Sequence, residues 1–261
     1  MKLVVAATAP FGADVLERLA ERHEVAGLLT RPDRPAGRGR RVASPPAKRV
    51  AERLGIPVLQ PERPTPDIRL PADTVVVCAY GLLVPESLLE RGLWLNVHPS
   101  LLPRWRGAAP VERALMAGDI ETGVTIHETV KELDAGPIAA QRSFSVRPQG
   151  DAGAIFDRSA KLAVELLDDV LPVPTLRPQE GEPSYAAKIE PGDRELDLSK
   201  AEESLNRIRA LSPHIGARTE LHGRRVTIWR ARLEGHKLVP EDVQPEGRRR
   251  MSYSEFVRGL R

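Results

Sequence analysis

Cysteine and aromatic residues are scarce in this 261-residue sequence, which holds one Cys, three Trp, three Tyr and four Phe. A single cysteine excludes an internal disulfide framework. Cys78 lies inside the apolar run Val75 to Ala79, where a buried, inert thiol is expected. No apolar run is long enough to span a bilayer. The opening MKLVVAATAP is of strand length and ends in a turn, so it reads as a strand rather than a signal peptide, and a soluble cytoplasmic protein is expected. There is no GxGxxG after the first strand, where the sequence is Thr8-Ala9-Pro10-Phe11-Gly12, and this argues against a nicotinamide cofactor. No close-spaced His, Cys and carboxylate set suggests a metal: His127 and Glu128 are adjacent on a predicted strand and point to opposite faces. Internal repeats, low-complexity tracts and dimer motifs are also missing, and a monomer is expected.

What is present begins with charge. The formal net charge is +3, and it is uneven: the segment from Glu190 onward holds 15 Lys and Arg against 12 Asp and Glu, leaving 24 of each before it (39 less 15, 36 less 12). A neutral body and a basic tail suggest a catalytic part joined to a module that meets a polyanion, although a solvated, arginine-rich surface would look the same.

Valine-, leucine- and isoleucine-rich runs at Leu3–Ala7, Val25–Thr30, Thr74–Ala79 and Leu93–Val97 alternate with helical spacing at Ala13–Arg22 and Ala47–Leu54. That alternation predicts an α/β domain with a mostly parallel sheet, whose ligands bind beyond the carboxyl ends of the strands. Strands at Thr122–Glu128 and Ile138–Val146 and a long helix over Asp151–Val170 complete it. The expected organisation is a catalytic domain over 1–170, a linker over 171–189 and a shortened β-rich domain over 190–261. The linker contains the four prolines of Leu171–Pro183 and should run extended over the surface. The last domain should hold a helix at Ala201–Leu211 and strands at Ala217–Leu221 and Arg224–Arg232. On the second of these strands Arg224, Arg225, Arg230 and Arg232 are expected to share one face, with Arg248-Arg249-Arg250 as a further basic cluster.

The chemistry concentrates in Leu95 to Pro110, LNVHPSLLPRWRGAAP. Asn96 and His98, two apart at the end of a predicted strand, project from one face toward the ligand-binding edge. An amide can donate to a developing oxyanion, and an imidazole can do so or exchange a proton near neutral pH. Pro99, Pro103 and Pro110 stiffen the following loop, Gly107 permits a turn, and Leu101-Leu102 offer an apolar wall. Asp134, in Leu133-Asp134-Ala135-Gly136-Pro137, is by itself an ordinary turn residue, and spacing does not place it near His98.

Asn96-Val97-His98, Ser100 to Gly107, Glu121-Thr122-Gly123-Val124-Thr125 and Leu133-Asp134 together resemble the folate-dependent formyltransferases, over most of the chain. The resemblance implies a Rossmann-like formyltransferase domain followed by a small OB-like barrel. It implies 10-formyltetrahydrofolate as co-substrate and no metal, with Asn96, His98 and Asp134 as the catalytic trio. It further implies folate contacts from Ser100, Leu101, Leu102 and Pro103, and a pterin pocket lined by Ala79, Tyr80, Gly81, Leu82 and Leu83.

A second segment, Arg31-Pro32-Asp33-Arg34-Pro35-Ala36-Gly37-Arg38-Gly39-Arg40-Arg41, carries five arginines and, by its Pro and Gly content, should form neither helix nor strand and be mobile when free. It is similar to the loop that the tRNA-formylating branch of the family inserts near the acceptor stem. Arg31, Arg34, Arg38, Arg40 and Arg41 are therefore expected to grip phosphates of initiator methionyl-tRNA. The alternative acceptor is a small amine such as an amino sugar nucleotide. The chain departs from the family at Ala7 and Ala9, in place of Gly and Pro, and at Ser212 to Gly216, in place of a Trp-containing turn.

Overall fold

The computed structural model describes residues 1–36, 41–146 and 150–260 and, of Ala36 and Arg41, the backbone alone. In chain order the elements begin with strand β1 (Lys2–Ala7), helix α1 (Pro10–Ala20), β2 (Glu24–Leu29), β3 (Arg34–Ala36), β4 (Arg41–Ala43), α2 (Pro46–Leu54), β5 (Val58–Leu59), β6 (Thr74–Cys78), α3 (Glu86–Leu89) and β7 (Leu93–His98). There follow β8 (Arg106–Gly107), α4 (Pro110–Met116), β9 (Glu121–Glu128), β10 (Ile138–Ser145), α5 (Ala152–Val170), β11 (Tyr185–Ala186) and a 3-10 turn at Pro191–Arg194. The chain ends in α6 (Ala201–Leu211), β12 (Ala217–Leu221), β13 (Arg224–Glu234), β14 (Lys237–Pro245), β15 (Met251–Ser252) and α7 (Tyr253–Arg258). These elements form two compact units, Met1–Arg106 with Gly123–Ser143 and Asp157–Ser184, and Gly107–Thr122 with Phe144–Phe156 and Tyr185–Arg261.

The main sheet has the order β10-β9-β7-β6-β1-β2-β5. Pairing is parallel from β7 through β6, β1 and β2 to β5, and antiparallel between β7 and β9. Val4, Val5, Val75, Val76 and Val77 are buried, as expected of central parallel strands covered on both faces. The chain adds β2 and β5 on one side of β1, then returns to add β6 on the other, so the order reverses between β1 and β6. Ligands of such sheets bind at that switch, beyond the strand ends. Here the Thr8 and Ala9 amides both donate to the Ala79 carbonyl (3.2 and 3.3 Å), closing the ends of β1 and β6 together. Gly12 makes this possible: a Cβ there would overlap the Cys78 carbonyl oxygen.

Two sequence expectations need correction. The arginine segment does contain strand, because β3 and β4 pair antiparallel, with Arg34 opposite Ala43 and Ala36 opposite Arg41. Flanking residues supply the ladder that the Pro- and Gly-rich composition obscured. The expected shared face of Arg224, Arg225, Arg230 and Arg232 is also broken. The β13–β14 register slips between Ile228 and Arg230, leaving Trp229 as an extra residue. Arg225, Arg230 and Arg232 lie on the outer face, whereas Arg224 has the parity of buried Val226 and Ile228.

In the second unit the strand order is β12-β13-β14-β15, antiparallel throughout. Its core is Ile208, Leu211, Ala217, Val226, Ile228, Val243 and Phe256. Arg113 on α4 forks onto Asp193 (2.9 and 2.8 Å), and Ser252 with Glu255 forms a capping box that starts α7. No helix among the described residues is long and apolar enough to cross a membrane.

Candidate active site

The end of β7 carries Asn96 and His98, and the antiparallel partner β9 places His127 opposite Asn96 and Thr125 opposite His98. Residues directly opposite in an antiparallel pair share a face, so four polar side chains line one patch. Thr125 serves the loop that follows β7. Its hydroxyl donates to the Ser100 carbonyl (2.7 Å) and accepts from the Leu102 amide (3.1 Å) and from Gln141 (2.9 Å). The Ser100 hydroxyl donates to the Arg104 carbonyl at 2.7 Å, which curls the loop over the strand end.

The structure brings Asp134 to this patch. Its carboxylate accepts from Asn96 Nδ2 at 3.1 Å and lies 3.7 Å from both His98 Nδ1 and His127 Nε2. The residue sits in a left-handed conformation, φ 49°, which costs a non-glycine residue on the order of 1–3 kcal/mol and persists only when neighbours fix it. Gly136 allows the turn to close on β9, since a Cβ there would overlap the Glu128 carbonyl oxygen.

The hydrogen bonds assign protons. His98 Nε2 lies 2.8 Å from the Trp105 carbonyl, an obligate acceptor, so this nitrogen carries the N–H and Nδ1 is left facing Asp134. His127 Nδ1 lies 2.9 Å from the Glu128 carbonyl, which leaves Nε2 to accept from Asn96 at 3.2 Å. Both Asn96 amide hydrogens are thus engaged, one by Asp134 and one by His127. Burial pushes the His98 pKa below its ordinary value; the Asp134 charge and the Trp105 carbonyl act against that, and His127 adds to it. Burial thus favours the neutral imidazole.

His127 is the site residue the sequence reading missed. Alternation along β9 gives its face, but only the register with Asn96 shows that this face meets the site.

The expected folate residues fall in two groups. Ser100 and Leu102 are buried, whereas Leu101 and Pro103 are half-buried. Tyr80 is buried in the cluster with Val75, Leu88 and Trp94, with Leu82 packed against it, and burial pushes its phenol to about 12. Leu83 is 87% exposed, and Gly81 has φ 75°. Of the expected tRNA residues, Arg31 lies against Gly81, where a Cβ would come 3.7 Å from its Nη1. Arg34 is exposed and pairs with Glu62 at 3.1 Å. Arg38 and Arg40, and the side chain of Arg41, lie outside the described residues. The hairpin base is tied down: Asp33 accepts from Ser44 (3.1 Å), Lys48 (2.9 and 2.8 Å) and Gln60 (2.8 Å). No group of three His, Cys, Asp or Glu side chains among the described residues is placed to hold a metal ion.

Residues 1–171 match the formyl transferase family, and residues 188–241 match the formyl transferase C-terminal domain. A methionyl-tRNA formyltransferase from Thermus thermophilus is 39% identical over 294 residues, covering 99% of this chain and 96% of its own. One from Methylococcus capsulatus is 38% identical over 296 residues, covering 98% and 96%. Among solved structures, HypX from Aquifex aeolicus in complex with tetrahydrofolic acid superposes with a TM-score of 0.63 at 18% identity, over 98% of this chain and 46% of that one. The parallel sheet, the strand-end residues and the near-complete match to these relatives agree, and the chain belongs to the formyl transferase family.

Proposed function

We propose that the enzyme transfers the formyl group of 10-formyltetrahydrofolate to the α-amino group of methionine on initiator methionyl-tRNA, in the cytoplasm. The observation that carries this reading is the convergence of Asn96, His98 and Asp134 at the end of β7. The match to methionyl-tRNA formyltransferases along the whole chain supports the choice of acceptor.

In such a transfer the amine attacks the formyl carbon, its oxygen gains negative charge, and a proton leaves the attacking nitrogen for the departing one. The neutral His98 Nδ1, the ring nitrogen not engaged by the Trp105 carbonyl, takes that proton, with Asp134 3.7 Å away to stabilise the imidazolium. Asn96 is the donor for the oxyanion. Because its two hydrogens are engaged by Asp134 and His127, it must exchange one of these bonds for the substrate oxygen. Asp134 and His127 therefore aim the amide and hold it until substrate arrives. Leu82 and the exposed Leu83, beside the buried Tyr80 and next to the β1–β6 switch, offer an apolar edge suited to a flat ring, and Leu101 and Pro103 are only half-buried on the loop beyond β7. This fits a pterin.

Asn96→Ala and Asp134→Asn test the reading. Each should lower kcat for formylation of methionyl-tRNA by about 10²-fold or more, the usual effect of removing an oxyanion donor, with the Kd for tRNA unchanged. Full activity in either variant would contradict the assigned roles.

A further inference from the structure

The Asp134 turn is held from a stretch whose composition reads as a connector. Gln179 lies in the proline-rich Leu171–Pro183 segment, and its Nε2 donates to the Asp134 carbonyl at 2.8 Å and to the Gly136 carbonyl at 2.9 Å. Its Oε1 accepts from Arg106 Nε (3.1 Å) and Nη2 (2.7 Å). The Arg106 side chain is 11% exposed, and its Nη1 reaches Glu132 Oε1 at 3.8 Å, in the same segment as Asp134. The segment is itself fastened to the sheet, because Arg177 and Ile138 exchange backbone hydrogen bonds of 2.7 and 2.9 Å.

A guanidinium only donates and a carbonyl only accepts. Between Arg106 on one side and two carbonyls on the other, an amide alone satisfies both. A carboxylate would keep Arg106 but turn lone pairs toward the carbonyls, and a thioether would do neither. The two accepting carbonyls bracket a turn whose first residue is in the left-handed region, a conformation that needs outside support.

We propose that Gln179 is a positioning residue for formyl transfer. By pinning the carbonyls of Asp134 and Gly136 it sets the Asp134 carboxylate at its distances from Asn96 Nδ2 and His98 Nδ1. It touches no reacting atom, and the proposal rests on Asp134 being catalytic.

The test is a pair of variants assayed for kcat, KM and pH dependence. Gln179→Met and Gln179→Glu, the second keeping the Arg106 partner but losing both donated bonds, should each lower kcat roughly 10- to 100-fold, as misplacement of a catalytic group by up to about 1 Å does. KM for folate and tRNA should stay within about 3-fold. In Gln179→Met the acid limb of the kcat profile should move to lower pH, because the carboxylate that raises the His98 pKa is no longer held beside it. In an Asp134→Asn background the Gln179 substitution should cost less than about 2-fold, since the two act as one unit. Gln179→Asn supplies the same comparison should the Met variant fail to fold. Unchanged kcat and pH profile would overturn the proposal. So would a loss that multiplies with that of Asp134→Asn, which would mark Gln179 as a support of the fold alone. Full activity in Asp134→Asn by itself would instead overturn the catalytic reading.

Discussion

The pH behaviour of the site follows from one buried imidazole. Burial is the largest influence on His98 and favours its neutral form, with the nearby His127 acting the same way, while Asp134 and the Trp105 carbonyl favour the charged form. The pKa therefore lies below 6.5, and the neutral form, the proposed acceptor of the amine proton, persists down to that lower value. The acid limb of kcat/KM for the wild-type enzyme should accordingly fall below pH 6.5. In Asp134→Asn, removing the charge that favours imidazolium should shift this limb further down, detectable in single-turnover assays across pH 5 to 8. A limb above 6.5, or an upward shift in the variant, would show that another group titrates. At this scale the sequence was half legible. Asn96 and His98 stand two apart at the end of an apolar run, so their common face could be read from alternation. Asp134 and His127 could not be placed that way, because their approach depends on the antiparallel β7–β9 register and on a left-handed turn that an Asp-Ala-Gly-Pro string does not announce.

Among the elements, the β3–β4 hairpin carries the proposed contacts to the acceptor. Its base is fixed by Asp33, which collects Ser44, Lys48 from α2 and Gln60, and Gln60 also donates to the Arg31 carbonyl at 2.9 Å. Arg34, exposed on this hairpin, is therefore presented from an anchored stem. Lys48→Met should leave kcat at saturating tRNA unchanged and raise KM for tRNA by roughly 3- to 10-fold, because the loosened stem must be ordered at binding. An unchanged KM would detach the stem from tRNA recognition. The strands β1, β2, β6 and β7 were visible as Val-, Leu- and Ile-rich runs, since parallel strands buried on both faces leave that mark. The hairpin strands were hidden by Pro35 and by their three-residue length, and the role of Leu171–Pro183 by its prolines, although Gln179 within it binds the Asp134 turn. The bulge at Trp229 inverted the parity of β13, an event that period-two reasoning cannot foresee.

For the molecule as a whole, the basic tail divides into arginines of different standing. Arg230 pairs with Glu241 at 2.8 Å, Arg232 with Glu241 at 3.2 Å and with Glu234, and Arg250 with Asp242 at 2.9 Å. These arginines are exposed, and solvent screens exposed pairs of this kind, so a phosphate can displace a carboxylate at small cost. The excess of positive charge that the composition placed after Glu190 is thus partly spoken for within β13, β14 and the residues before β15. The measurement that tests the central claim most directly gives the purified protein 10-formyltetrahydrofolate together with initiator methionyl-tRNA, an elongator aminoacyl-tRNA or an amino sugar nucleotide, and follows formyl transfer to each. Formylation of initiator methionyl-tRNA with a kcat/KM at least about 10²-fold above the other acceptors is the predicted result; transfer to the amino sugar nucleotide with none to methionyl-tRNA would contradict it.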